Sequence, residues 1–167
     1  MKGSSLHFAA MIGTSSVLMF AFMYLNTYEF EHVRWSTTRL YMTLLMASTM
    51  SVVMLSFMLS MYKDTKKNMT IYVSSLVVFL GALYLVRSQT FIADQSWMRA
   101  MIPHHSIAIL TSERASIEDV RARDLAKKII ETQKREIEEM EWLINDIKQN
   151  GKAKAESEAS SRPVPPF

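Results

Sequence analysis

The sequence predicts an all-α protein: three membrane-crossing helices followed by a two-helix hairpin that faces water. Three observations carry that reading. Residues 6–28 and 40–62, each a run of 23, and residues 69–86, a run of 18, contain no Asp, Glu, Lys or Arg. Charge is concentrated beyond them, with 12 Lys and Arg and 13 Asp and Glu from Ser88 onward against 7 and 3 before it. After Arg87 the apolar residues recur in steps of three and four, the period of an amphipathic helix.

A membrane span needs about 20 apolar residues, and a charge at its centre costs roughly 2.5–3.5 kcal/mol. All three runs avoid that cost. The first carries Gly13, Thr14, Ser15 and Ser16, small residues that suit close helix packing in lipid, and it reads as an uncleaved anchor because further spans follow. The second holds Met42, Met46, Met50, Met54 and Met58. Each four-residue step drifts about 40° around a helix, so these methionines wind across faces, and lipid contact or packing explains them better than a metal pathway. His7 with Met11, and His32 in the first connection, make no site alone. Lys2, Lys63, Lys66 and Lys67 face Arg34, Arg39 and Arg87 across the membrane. That bias places the amino terminus and the lysine loop in the cytoplasm and the hairpin outside it.

The formal net charge of +3 reflects these membrane-flanking residues, and no nucleic-acid-binding patch is expected. Cysteine is absent, which removes disulfides, thiolate metal ligands and thiol nucleophiles. The expected division is a membrane domain over 1–88, a helical hairpin over 89–150 and a polar, Pro-rich tail over 151–167 without fixed structure.

Within the hairpin, the first helix starts at about Thr90 or Ala93 and ends at Arg114. With no Gly or Pro between Arg87 and Ala93, it can run on from the third span. Ser116-Ile-Glu-Asp119 is a turn with capping chemistry. The second helix reaches about Gln149, with Gly151 just past its end. Its seam reads Ala122, Leu125, Ala126, Ile129, Ile130, Ile137, Met140, Ile144 and Ile147. Gln133 lies in that seam with Glu136 beside it, and a polar pair there needs partners because unpaired burial costs about 1–3 kcal/mol. The pair either fixes helix register or supports metal ligands on the first helix. Two helices with one apolar seam each cannot enclose a core. Two hairpins are therefore expected to pair into a four-helix bundle, a homodimer with Trp97 and Trp142 flanking the contact.

The candidate chemistry lies in Trp97-Met-Arg-Ala-Met101-Ile-Pro-His104-His105-Ser-Ile-Ala108. On a helical wheel Met98, Met101 and His105 fall within about 60°, and His104 lies about 100° from His105. Thioether with imidazole suits copper(I) or silver(I), whereas zinc prefers harder or thiolate donors. Met98, Met101 and His105 are thus the expected primary ligands, with His104 as an alternate. Pro103 removes a helical hydrogen bond at roughly 3 kcal/mol, as a shaped site or inherited packing would. Set against this, methionine commonly fills helix seams and a His pair can serve only as hydrogen-bonding groups. The alternative reading is a membrane-anchored helical adapter with structural histidines and no metal.

Met98-x-x-Met101-Ile-Pro-His104-His105-x-x-Ala108-Ile109, followed by Ala126-x-x-Ile129-Ile130-x-x-Gln133-x-x-Glu136-Ile137-x-x-Met140, resembles the bacterial domain of unknown function 305 family over about 91–146. The resemblance implies a ferritin-like helical bundle, and an association with copper binding and copper resistance. It adds Met140 to the candidate ligands Met98, Met101, His104 and His105, with Gln133 and Glu136 close by. It also implies a bacterial inner membrane with the hairpin on the periplasmic side. Longer members carry two such hairpins, and many are soluble and exported, whereas this chain has one hairpin and three spans. A ferritin-like bundle raises a di-iron oxidase as a rival, but such sites use paired Glu-x-x-His motifs. The only one here is Glu29-Phe-Glu-His32, in a membrane connection, so binding rather than catalysis is expected.

Overall fold

The computed structural model describes residues 5–167; Lys2, counted above toward orientation, lies outside the described residues. Six α-helices are described: α1 Ser5–Phe22, α2 Thr37–Phe57, α3 Thr65–Ser88, α4 Asp94–Arg114, α5 Val120–Asn150 and α6 Glu156–Ser161. No strand occurs among the described residues. The chain divides into two compact units: residues up to Leu25 with Thr37–Phe91, and Asn26–Ser36 with Ile92–Phe167.

The first unit contains three helices long and apolar enough to cross a membrane, α1, α2 and α3. α1 ends before its uncharged run does, because Tyr24 and Leu25 donate to carbonyls only three residues back, at 3.1 Å each. α3 begins inside the lysine loop. The Asp64 carboxylate accepts from the Lys67 N–H at 3.2 Å, and long Lys stems can hold apolar surface while their charge stays in water. α2 packs against both α1 and α3. Buried Phe8, Leu55 and Tyr62 form the contact, with the Phe8 and Tyr62 rings edge to face at 5.6 Å. Asn68 is buried there, its amide donating to the Tyr62 carbonyl at 2.6 Å. The methionines of α2 wind as their spacing requires: Met42 and Met46 are exposed, and Met54 and Met58 pack on the core.

α3 does not run on into the hairpin. Gln89 at φ 52° and Phe91 at φ 65° take left-handed backbone, a conformation that residues other than Gly enter at roughly 1–2 kcal/mol. Gln89 compensates by donating its backbone N–H to the Leu85 carbonyl at 3.0 Å and its side-chain amide to Val86 O at 2.6 Å. Both carbonyls would otherwise be left open at the helix end. A glutamine side chain thus ends the helix where no Gly or Pro marks the sequence.

In the second unit α4 packs along α5. Met98, Ile102, Ile109, Ile137 and Met140 are buried between them, with Met101, Ile130, Leu143, Ile144 and Ile147 packed around the edge. α4 continues through Pro103, which is itself buried. Asp119 caps α5, accepting from the Arg121 N–H at 2.9 Å, and Gly151 at φ 77° closes it. The connection 26–36 belongs to this unit. Fully buried Ser106 takes the Tyr28 N–H on its hydroxyl at 2.7 Å and meets His32 Nδ1 at 3.0 Å. Arg34 pairs with Glu141 at 2.8 Å.

The tail departs from the expectation of no fixed structure. It turns back through α6, with the Lys154 N–H bonded to Glu158 at 2.8 Å. Lys152 pairs with Asp94, and Arg162 reaches Asp146 at 2.7 Å. Composition could not foretell this, because the partners of Lys152 and Arg162 lie on other helices.

Candidate metal centre

The structure sorts the sequence-predicted residues into two neighbouring groups and one outlier. The first group is thioether. Met98 from α4 and Met140 from α5 are buried in one apolar cluster, and Met101 packs on its edge. Helical spacing puts Met98 one turn from Ile102 on the buried stripe of α4, and Met140 three residues from Ile137 on that of α5.

The second group is polar. His105 turns toward α5, where its Nε2 lies 2.8 Å from Glu136 Oε2. Its Nδ1 lies 3.0 Å from the Met101 carbonyl oxygen. A carbonyl only accepts, so Nδ1 carries a proton. Gln133 donates from Nε2 to the same Glu136 oxygen at 3.3 Å. The polar pair of the α5 seam therefore does stand against the histidine, but by direct hydrogen bond. The wheel places His105 between Met98 and Met101, and it cannot register a carboxylate on the facing helix that competes for the ring.

His104 is the outlier. It is exposed, its ring centroid 6.2 Å from that of His105. Among the described residues, no three His, Cys, Asp or Glu side chains assemble into a group able to hold a metal ion. A soft-metal site would instead be thioether-based. Met98, Met101 and Met140 fit copper(I), which accepts thioethers and low coordination numbers. His105 could join them only where Nε2 leaves Glu136.

Sequence reasoning passed over Tyr28 and Ser106, set His32 aside as no site alone, and counted Arg34 only toward orientation. The hydrogen bond to Glu113 raises the Tyr28 hydroxyl pKa. His32 stacks its contacts, with Ser106 at Nδ1 and Glu29 at 3.7 Å from Nε2. Parity was the available signal: with three spans, the first connection and the hairpin share one side of the membrane.

Residues 84–163 match the domain of unknown function DUF305. The match is wider than the motif-bearing stretch, reaching back into α3 and forward past α6. An uncharacterized protein of Acanthamoeba polyphaga mimivirus is 34% identical over 122 residues, covering 72% of this chain and 78% of the viral protein. That relative is viral, so it lends nothing to a bacterial origin, and its description states no ligand. No solved structure matches the chain. An apolar three-helix unit joined to a hairpin bearing the Met-x-x-Met-x-x-His-His run thus belongs to one family with the mimivirus protein, and the hairpin is its DUF305 domain.

Proposed function

We propose that the protein is a membrane-anchored binder of copper(I) or silver(I), acting in metal handling or resistance rather than as an enzyme. The observation that supports this is that Met98 and Met140 are buried in one apolar cluster from two helices, with Met101 packed on its edge and the Met101 carbonyl bonded to His105. When bound, the ion would be held by thioethers. Glu136 would compete with it for the His105 nitrogen, and Gln133 would hold Glu136 in place. The test is competition with a cuprous chelator on the full chain in detergent. The full chain is needed because residues 26–36 complete the hairpin unit. Met98→Leu with Met101→Leu should weaken copper(I) by roughly tenfold or more with helicity kept. Glu136→Ala, which leaves no side-chain donor or acceptor there, should tighten it by freeing Nε2. A wild-type protein that binds no copper(I) would sink the proposal.

A second reading is favoured by a different observation. Both nitrogens of His105 are engaged, one on its own helix and one across the hairpin. That is how a structural histidine would lock α4 to α5 in an adapter that binds no metal. Under it, His105→Gln would loosen the hairpin and the double methionine variant would leave copper unchanged.

For orientation, we infer that the lysine loop lies in the cytoplasm and the hairpin outside it, which in a bacterial inner membrane is the periplasm. Lys63, Lys66 and Lys67 support this through the positive-inside bias. A reporter fused after Asn150 that works only in the cytoplasm would reverse the assignment.

A further inference from the structure

A cleft of about 380 Å³ in the hairpin unit has no part in the metal proposal. Arg34 from the first connection, Arg99 from α4, and Asn145 and Lys148 from α5 line it, with Val33, Trp35 and Ile144 as apolar walls. Glu141 is the one carboxylate there and is already held by Arg34 at 2.8 Å. Arg99 and Lys148 are exposed and have no carboxylate partner among the described residues. Three cations against one anion leave the cleft with an excess of two positive charges.

Its place in the chain narrows what it could hold. Trp35 is half-exposed and stands two residues before Thr37, the first residue of α2, a helix apolar enough to cross a membrane. Two residues of chain reach only about 7 Å. Where α2 enters a bilayer, chain connectivity alone would keep Trp35 within that reach of the headgroups, a level at which Trp is enriched. Arginine guanidinium groups match phosphate oxygens in pairs, and Lys adds a point charge. We propose that this cleft binds a phosphate group, supplied by the phosphodiester headgroup of an anionic phospholipid.

The experiment reconstitutes the full chain in nanodiscs of phosphatidylcholine and phosphatidylglycerol, extracts it, and counts the lipid retained by native mass spectrometry. Wild type should retain phosphatidylglycerol in preference. Arg99→Gln with Lys148→Gln should lower that preference roughly thirtyfold, given what two cations contribute near an anionic surface. A control, Arg123→Gln with Lys128→Gln, removes equal charge from exposed positions elsewhere on α5 and should leave the preference unchanged. A parallel titration with inorganic phosphate in zwitterionic detergent follows Trp35 fluorescence in a background with Trp97→Phe and Trp142→Phe. A saturable response lost in the cleft variant, without lipid preference, keeps the site and assigns it to free phosphate. The proposal is overturned if neither ligand binds, if the cleft variant matches wild type, or if the control loses as much as the cleft variant. Far-ultraviolet circular dichroism of each variant separates these outcomes from loss of fold.

Discussion

The two units differ in what they leave outside. In the first, Thr43, Ser48, Asn68 and Ser75 are buried beside a small apolar contact of Phe8, Leu55 and Tyr62, while Phe57, Leu76, Val77 and Leu80 are exposed. In the second, Ile102, Ile109 and Ile137 are sealed inside, and the surface of α5 carries its Lys, Arg and Glu. Helices apolar enough to cross a membrane would gain nothing in hydrocarbon from hiding a leucine, so their association there would rest on close packing and on polar groups that find partners. Water does reward it, at about 25 cal/mol per Å² of apolar surface. Methionine shows the same inversion within one chain. Met42 and Met46 sit on the outside of α2, and Met98 and Met140 sit at the centre of the hairpin. A thioether seen only in sequence carries no meaning until its solvent is known.

The sharpest break of that comparison is a matched pair of truncations. Ile102 is completely buried, so Ile102→Ala should cost about 2–5 kcal/mol of hairpin stability through lost contacts and a cavity. Val77 is 64% exposed on α3, and Val77→Ala should stay within about 0.5 kcal/mol. Denaturant melts of the full chain in micelles, followed by hydrogen exchange at α4 and α3 amides, measure both. Equal losses would mean that the outward face of α3 is packed against something, and the inverted reading of the first unit would fall.

Much of this architecture was legible because long-range solvent forces leave short-range marks. Charge-free runs located α1, α2 and α3, and the three-and-four spacing located α5 and most of its seam, although Ala122 and Leu125, counted in that seam, are exposed. Boundaries were less legible. α3 extends past its uncharged run at both ends because Lys66, Lys67 and Arg87 can be helical while their charges stay wet. The break at Gln89 was invisible, since left-handed backbone is expected of Gly or Asn. At the candidate site, spacing found Met98, Met101 and His105 and set Gln133 and Glu136 nearby. It could not find the choice His105 makes between a thioether and a carboxylate, because that choice is settled across helices. The docking of Tyr28 and His32 onto Ser106 joins residues more than seventy positions apart, and nothing local records it.

That docking yields a prediction of intermediate size. Ser106 serves both the Tyr28 N–H and the His32 ring. Ser106→Ala removes two partners at once and leaves part-buried polar groups behind, at about 1–3 kcal/mol each where water cannot reach them. The effect should be local. The Tyr28 amide should exchange faster by at least roughly tenfold, while α4 and α5 keep their helicity. If the Tyr28 amide is unchanged, Arg34–Glu141 and the Tyr28–Glu113 contact hold the connection without the serine, and its membership of the hairpin unit rests on those instead.

The smallest expected effect lies at the far end of α5 and compares its two halves. Asp119 accepts the Arg121 N–H and grips the Arg121 side chain at 3.1 and 2.7 Å. The guanidinium first, then the backbone N–H groups, hold its carboxyl below the ordinary carboxylate range. A carboxyl lowered in the folded state stabilises that state above its ordinary pKa of about 4, and the contribution is lost as pH falls through the lower folded value. Acidification should therefore fray the first turn of α5, and Asp119→Ala should reproduce the fraying at neutral pH. Arg121→Ala should do so only in part, since the backbone hydrogen bond to the cap remains. The buried half around Ile137 and Met140 should not respond to either change, because its stability comes from packing and not from the cap. Amide exchange along α5 between pH 3 and pH 7, from about one unit below the ordinary carboxylate pKa to about three above it, reads the two halves separately. Fraying that spreads to Ile137 would show α5 to be a single cooperative unit, with the cap serving its whole length.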